Sequence, residues 1–201
     1  MRLSRLWTPT ALLVLAMSAT SAPQPLWAQA SSREAVEAAR GYRQAHGAEI
    51  LRGYVELLSI PNVATDLENI RRNAELLRDQ LTLRGVTAEL LELPDTPPLV
   101  LGRLDNGAAR TLGIYVHYDG QPVDTSQWST PPWQPTLYTA AIEEGGTPRP
   151  LPRQGETIDP EWRLYGRSSG DDKAPLPAIF TALDALRQSQ ITPTSNLVFV
   201  F

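Results

Sequence analysis

The chain has 201 residues, a formal charge of −4 and no cysteine. Its length and 42% hydrophobic content allow one buried core. The mild acidity argues against nucleic acid or an anionic membrane surface as partner; the missing thiols exclude thiolate metal sites, a cysteine nucleophile and disulfides, so any metal must sit on His, Asp and Glu.

Met1 to Ala30 carries Arg2 and Arg5, an apolar run from Ala11 to Met17, and Ala28-Gln29-Ala30. A basic end, a short apolar core and an Ala-x-Ala site read as a secretory signal peptide, since the core is too short to span a bilayer comfortably. The expectation is an exported protein, periplasmic or secreted, with no membrane association after residues 1–30 are removed. Losing Arg2 and Arg5 takes the charge from −4 to −6.

Ser31-x-x-Glu34 has the form of a capping box, and Ala35 to Tyr42 reads as a helix weakening at Gly41 and stopping by Gly47. Ile50, Leu51, Tyr54, Val55 and Leu58 recur at helical spacing until Ser59-Ile60-Pro61 stops them. His46 reads as a surface histidine. Thr65-x-x-Glu68 predicts the cap of a third helix, Leu67, Ile70, Ala74, Leu77 and Leu81 mark its buried stripe, and Gly85 ends it.

Strands are predicted over Val86 to Leu93, Leu99 to Leu104, Thr111 to Val116 and Asn196 to Phe201, with Leu104-Asp105-Asn106-Gly107 as the turn joining the second to the third. Helices around apolar strands give an α/β layered domain, and the tight turns predict a mixed sheet. The third strand reads as interior and delivers His117 and Asp119 at its carboxyl end, on one side because side chains alternate. Imidazole can bind zinc through one nitrogen while a carboxylate fixes the proton on the other. A histidine merely satisfied by a neighbouring aspartate gives the same pattern.

Gln121 to Trp162 has no period, many prolines and the three tryptophans of the mature chain, Trp128, Trp133 and Trp162; Gly145 to Pro160 reads as a solvated excursion. Asp171 and Asp172 stand just before a helix beginning near Lys173 or Ala174, whose apolar face is Pro175, Leu176, Ile179, Phe180, Leu183 and Leu186. There they either cap the positive end of the helix dipole or bind metal.

Taken together, His117-x-Asp119, Gln121-Pro122, Trp128 with Pro132-Trp133-x-Pro135, and Tyr165-Gly166-Arg167-x-x-x-Asp171-Asp172-Lys173-x-Pro175 resemble the carnosinase/aminoacylase/desuccinylase family of di-zinc peptidases, peptidase family M twenty, from about Ile50 to Phe201. The resemblance implies a three-layer α/β/α catalytic domain with a mixed, largely parallel sheet, normally interrupted by a lid or dimerisation domain. It also implies two zinc ions, with cobalt or manganese as substitutes. His117 would bind one ion, Asp171 would bridge both, and Asp119 would be the catalytic carboxylate that orients the His117 ring. Asp172 and Lys173 would be supporting or surface groups, and Arg167 would pin its loop by hydrogen bonds.

Four positions depart from the family pattern. Ser168 and Ala174 stand where glycine is usual, which strains the backbone if either needs positive φ; Gly120 replaces an apolar residue and Trp133 a phenylalanine. The family's strand resembling Asn196 to Phe201 is followed by a Glu-Glu motif holding the general base and a metal ligand, and here Phe201 is the last residue. The expectation is that residues 31–201 are the amino-terminal part of an exported metallopeptidase, without its lid, acting in complete form on dipeptides or N-acyl amino acids. This chain alone would be inactive, and homodimerisation would belong to the complete enzyme. A non-catalytic metal-binding or interaction fragment from a truncated gene is the alternative; a calcium-stabilised domain using Asp119, Asp124 and Asp171 is a third.

Overall fold

A computed structural model describes residues 26–201, side chains from Ser32 onward. The signal-peptide reading of residues 1–30 therefore lies almost wholly outside the described residues. None of the described helices is long and apolar enough to cross a membrane.

The first two expected helices are one. Helix α1 runs unbroken over Leu26–Ser59, through Gly41, Gly47 and Gly53. A glycine inside a helix costs roughly 1 kcal/mol and does not by itself break it, because packing elsewhere on the helix outweighs that cost. Ala48, Leu57 and Leu58 are buried. At Gly47 an added Cβ would meet Ile158 Cγ1 at 2.8 Å, so the glycine lets another segment lie on the helix. The Gly145 to Pro160 excursion accordingly returns to α1, where Pro152 is buried and its carbonyl accepts from Arg52 Nη1 at 3.1 Å.

Helix α2, Leu67–Leu83, is capped by Asp66 rather than Thr65: the Asp66 carboxylate accepts from the Asn69 N–H at 3.2 Å and from its side-chain amide at 2.8 Å. Ile70, Ala74, Leu77 and Leu81 are buried as the stripe predicts, Leu67 is exposed, and Asn73 joins the buried set. Gly85, at φ 81°, ends the helix with its N–H on Thr82 O.

The main sheet has the order β1 (Thr87–Leu91), β2 (Leu99–Leu104), β7 (Asn196–Val200), β3 (Thr111–Tyr115). It is mixed as expected, though weighted to antiparallel pairing: β1–β2 and β2–β7 are antiparallel and β3–β7 is parallel. Asp105 to Gly107 does not close a hairpin, because β7 lies between β2 and β3. The Asn196 side chain instead holds that loop, accepting from the Asn106 and Ala108 N–H groups. Strand β3 is an edge among the described residues rather than interior, and Leu112 and Tyr115 on it are exposed.

One sheet face carries Val100, Leu197 and Phe199, which form the core with Leu77 and Leu81 of α2 and with Leu176, Phe180 and Leu183 of α3, Pro175–Gln188. Each such side chain contributes about 1.5–3 kcal/mol by burial. Gly102 is needed beneath α2, since a Cβ there would lie 2.9 Å from Leu81 Cδ1. On α3 rests α1. A second sheet, in the order β5 (Pro148–Arg149), β4 (Thr136–Tyr138), β6 (Arg163–Tyr165), occupies the stretch with no sequence period.

Candidate metal centre

Val116, at the end of β3, is buried, and the chain then turns outward as His117, Tyr118 and Asp119. Tyr118 points inward, with its hydroxyl donating to Pro98 O, and burial pushes its phenol up to about 12. The turn is fixed from below by Asn62, which is fully buried: its carbonyl accepts from Gly120 N–H at 2.7 Å and its Nδ2 donates to Tyr118 O at 2.8 Å.

The second motif arrives from β6. The Arg167 N–H donates to Pro132 O at 2.7 Å, and Lys173 N–H closes the 168–173 loop onto Ser168 O at 3.1 Å. Lys173 is not a surface group. It is fully buried, and its Nζ donates to Asn73 Oδ1 at 2.6 Å, Leu57 O at 2.8 Å and Ile60 O at 3.4 Å, tying the loop to α1 and α2. Burial pushes its ammonium down to about 7. Arg167 also departs from expectation: its loop is held by the backbone bond, while its Nε is buried without a hydrogen-bond partner.

These supports bring the two motifs together. His117 Nδ1 lies 3.1 Å from Asp119 Oδ1, and Nε2 lies 3.1 Å from Asp171 Oδ1. The side chains of His117, Asp119 and Asp171 are 39%, 41% and 85% exposed, so the three face solvent. Burial lowers the imidazole pKa, but the Asp119 hydrogen bond and charge, with the Asp171 hydrogen bond, outweigh it and raise the value above 6.5.

An imidazole nitrogen and a carboxylate oxygen side by side, with the other ring nitrogen held by a second carboxylate, are donor types that suit zinc. Their 3.1 Å separation is near the roughly 3.4 Å expected between two ligands of one tetrahedral zinc ion. Two donors are fewer than a catalytic zinc site uses, and among the described residues no three His, Asp or Glu side chains form a metal-holding group. Asp124, a candidate calcium ligand, is spent on Ser126 and Gln127 of its own turn.

Of the four departures, Ala174 is unstrained at φ −60°, whereas Ser168 adopts φ 63°. Gly120 suits this close packing, since a Cβ there would crowd Ser168 Oγ at 2.8 Å and Arg167 Nε at 3.1 Å and shift those side chains. The Trp133 indole N–H reaches Asn62 Oδ1 at 3.3 Å. Sequence reasoning missed Asn62 and Asn73. Nothing local marks the first, and the second lay beside a helix stripe already assigned to apolar residues.

No family model matches the chain. It is 28% identical over 158 residues to the Cys-Gly metallodipeptidase of Schizosaccharomyces pombe and 30% identical over 162 residues to that of Candida albicans. Each alignment covers 72% of this chain and 29% of the relative. Among solved structures, the M20 family metallo-carboxypeptidase of Sulfolobus solfataricus superposes with a TM-score of 0.57 at 27% identity, over 76% of this chain and 30% of that one. The chain thus spans about a third of the length of the proteins it matches.

Proposed function

Because the chain belongs to the M20 family of metallopeptidases, we propose that the whole protein is an exported zinc-dependent peptidase that hydrolyses dipeptides or N-acyl amino acids. The observation that carries this reading is the approach of His117 Nε2 to Asp171 Oδ1, 3.1 Å apart although 54 residues separate them in sequence.

In that reading His117 and Asp171 hold a divalent ion, and Asp119 keeps the proton on Nδ1 so that Nε2 presents its lone pair. A bound ion would supply polarisation of the scissile carbonyl and a water acidic enough to ionise near neutral pH. Trp133, tied to Asn62, sets the wall of the Trp128 to Pro135 loop beside the turn. The general base and remaining donors would be contributed from outside these 201 residues. The rival reading, a metal-binding fragment without catalysis, is favoured by the count of two donors at this point among the described residues.

One experiment separates these readings. This chain should bind zinc weakly in calorimetry, with His117→Ala and Asp171→Ala each abolishing the heat, and should not hydrolyse dipeptides; the full-length protein should do so, and lose activity with either substitution. Zinc binding indifferent to both substitutions would remove the site. A full-length protein that binds zinc but cleaves no dipeptide or N-acyl amino acid would leave the fragment reading. Export is inferred from Met1 to Ala30, and N-terminal sequencing of secreted material should begin at Ser31; retained Met1 would contradict it.

A further inference from the structure

Ser168 holds a conformation that costs it energy. At φ 63° it occupies the left-handed region, where any residue with a Cβ is disfavoured relative to glycine. It is also 4% exposed. A buried serine in a strained position invites the question of what its hydroxyl does.

Ser168 Oγ accepts from Asn62 Nδ2 at 2.9 Å. The same amide nitrogen donates to Tyr118 O at 2.8 Å, the carbonyl of the residue between His117 and Asp119. One buried –NH2 group thus spends both N–H bonds on joining the His117 turn to the loop that carries Asp171. The remaining polar atoms of Asn62 are also used: Oδ1 accepts from the Trp133 indole, and the backbone carbonyl from Gly120 N–H. Space at the joint is filled too, because a Cβ on Gly120 would fall 2.8 Å from Ser168 Oγ and 3.1 Å from Asn62 Nδ2. Asp171 is 85% exposed, and among the described residues its side chain bonds only to His117, so its position relative to His117 comes from the loop beneath it.

We propose that Ser168 is a positioning residue: its hydroxyl, clasped by Asn62, sets the Asp171 loop against the His117 turn and so fixes the spacing of the two proposed ligands. The inference rests on the metal-site reading of His117 and Asp171 for its consequence, though not for its geometry.

Two substitutions at one position test it. Ser168→Ala keeps the backbone strain and removes the bond, while Ser168→Gly removes both. If the serine were only structural, the glycine variant would be at least as good as the natural protein in every assay. The clasp instead predicts opposite movements. Ser168→Gly should raise the thermal midpoint above that of Ser168→Ala, yet both should weaken zinc binding by roughly three- to tenfold, the worth of one buried hydrogen bond. Both should also speed amide exchange at Gly120 and Lys173, whose N–H groups bond Asn62 O and Ser168 O. Unchanged zinc affinity in both variants, with the natural chain binding, overturns the proposal. If the natural chain takes up no zinc, the metal reading fails instead, and exchange alone decides the clasp: acceleration at Gly120 and Lys173 upholds it, and unchanged exchange overturns it.

Discussion

The proposed site has an underside and a rim, and they are built on opposite terms. Asn62, Asn73 and Lys173 below it are fully buried with their polar groups partnered. His117, Asp119 and Asp171 above are 39%, 41% and 85% exposed and bond to one another. Buried polar networks are worth most when fully satisfied, because an unpaired member incurs its whole desolvation cost. Exposed charged pairs add little to stability. The difference implies that the His117 turn and the Asp171 loop are held by the underside, beside the apolar core, while the rim is free to exchange its mutual hydrogen bonds for a ligand.

The largest effect expected from this contrast is at Lys173. Lys173→Met keeps most of the volume but leaves Leu57 O and Asn73 Oδ1 without the donor they have now. A loss of about 2–4 kcal/mol in urea denaturation is expected, from two buried acceptors left unsatisfied. The pH profile sharpens the test. With the folded value near 7 and the ordinary one at 10.5, both states are protonated below pH 7. Between about 7 and 10.5 the unfolded chain holds a proton that the folded chain has shed, so the Lys173 contribution to stability rises with pH there. The natural protein should show that rise and Lys173→Met should lack it. A variant as stable as the natural protein, with the same profile, would mean that the underside contributes nothing to stability.

The same contrast decides what could be read from sequence. The meeting of His117, Asp119 and Asp171 was legible because the proposed ligand chemistry calls for particular residue types at fixed spacing, as in His117-x-Asp119 and the Asp171-Asp172-Lys173 run. The underside was not, since Asn62 and Asn73 acquire their role only from what the fold brings to them. Lys173 reads as a supporting or surface group in the Asp171-Asp172-Lys173 run, and nothing local says that it points inward. In the fold, α2, α3 and the four longer strands were legible from periodicity. The strands Thr136–Tyr138, Pro148–Arg149 and Arg163–Tyr165 span only two or three residues, too few to show a period. The insertion of β7 between β2 and β3 is a long-range pairing that the turn residues Asp105 to Gly107 could not reveal. At α1 local rules failed outright, because the breaks expected at Gly41 and Gly47 were overruled by packing against α3.

The smallest effect should be at the rim itself. His117→Ala removes a ring bonded to two carboxylates, yet the ring and Asp119 are about two-fifths exposed and Asp171 is nearly free. Solvent and salt screen such pairs to roughly 0–1 kcal/mol, and this exposure places the effect in the lower half of that range. Its pH dependence has a definite sign. Because the folded value lies above the ordinary 6.5, the contribution is fully present below 6.5 and is lost as pH rises through the folded value. The stability gap between the natural protein and His117→Ala should therefore be small at pH 5, nearly absent at pH 8, and smaller still in high salt. A gap that widens toward pH 8, or one as large as that of Lys173→Met, would make His117 part of the underside. That would erase the division of labour on which the proposed site depends.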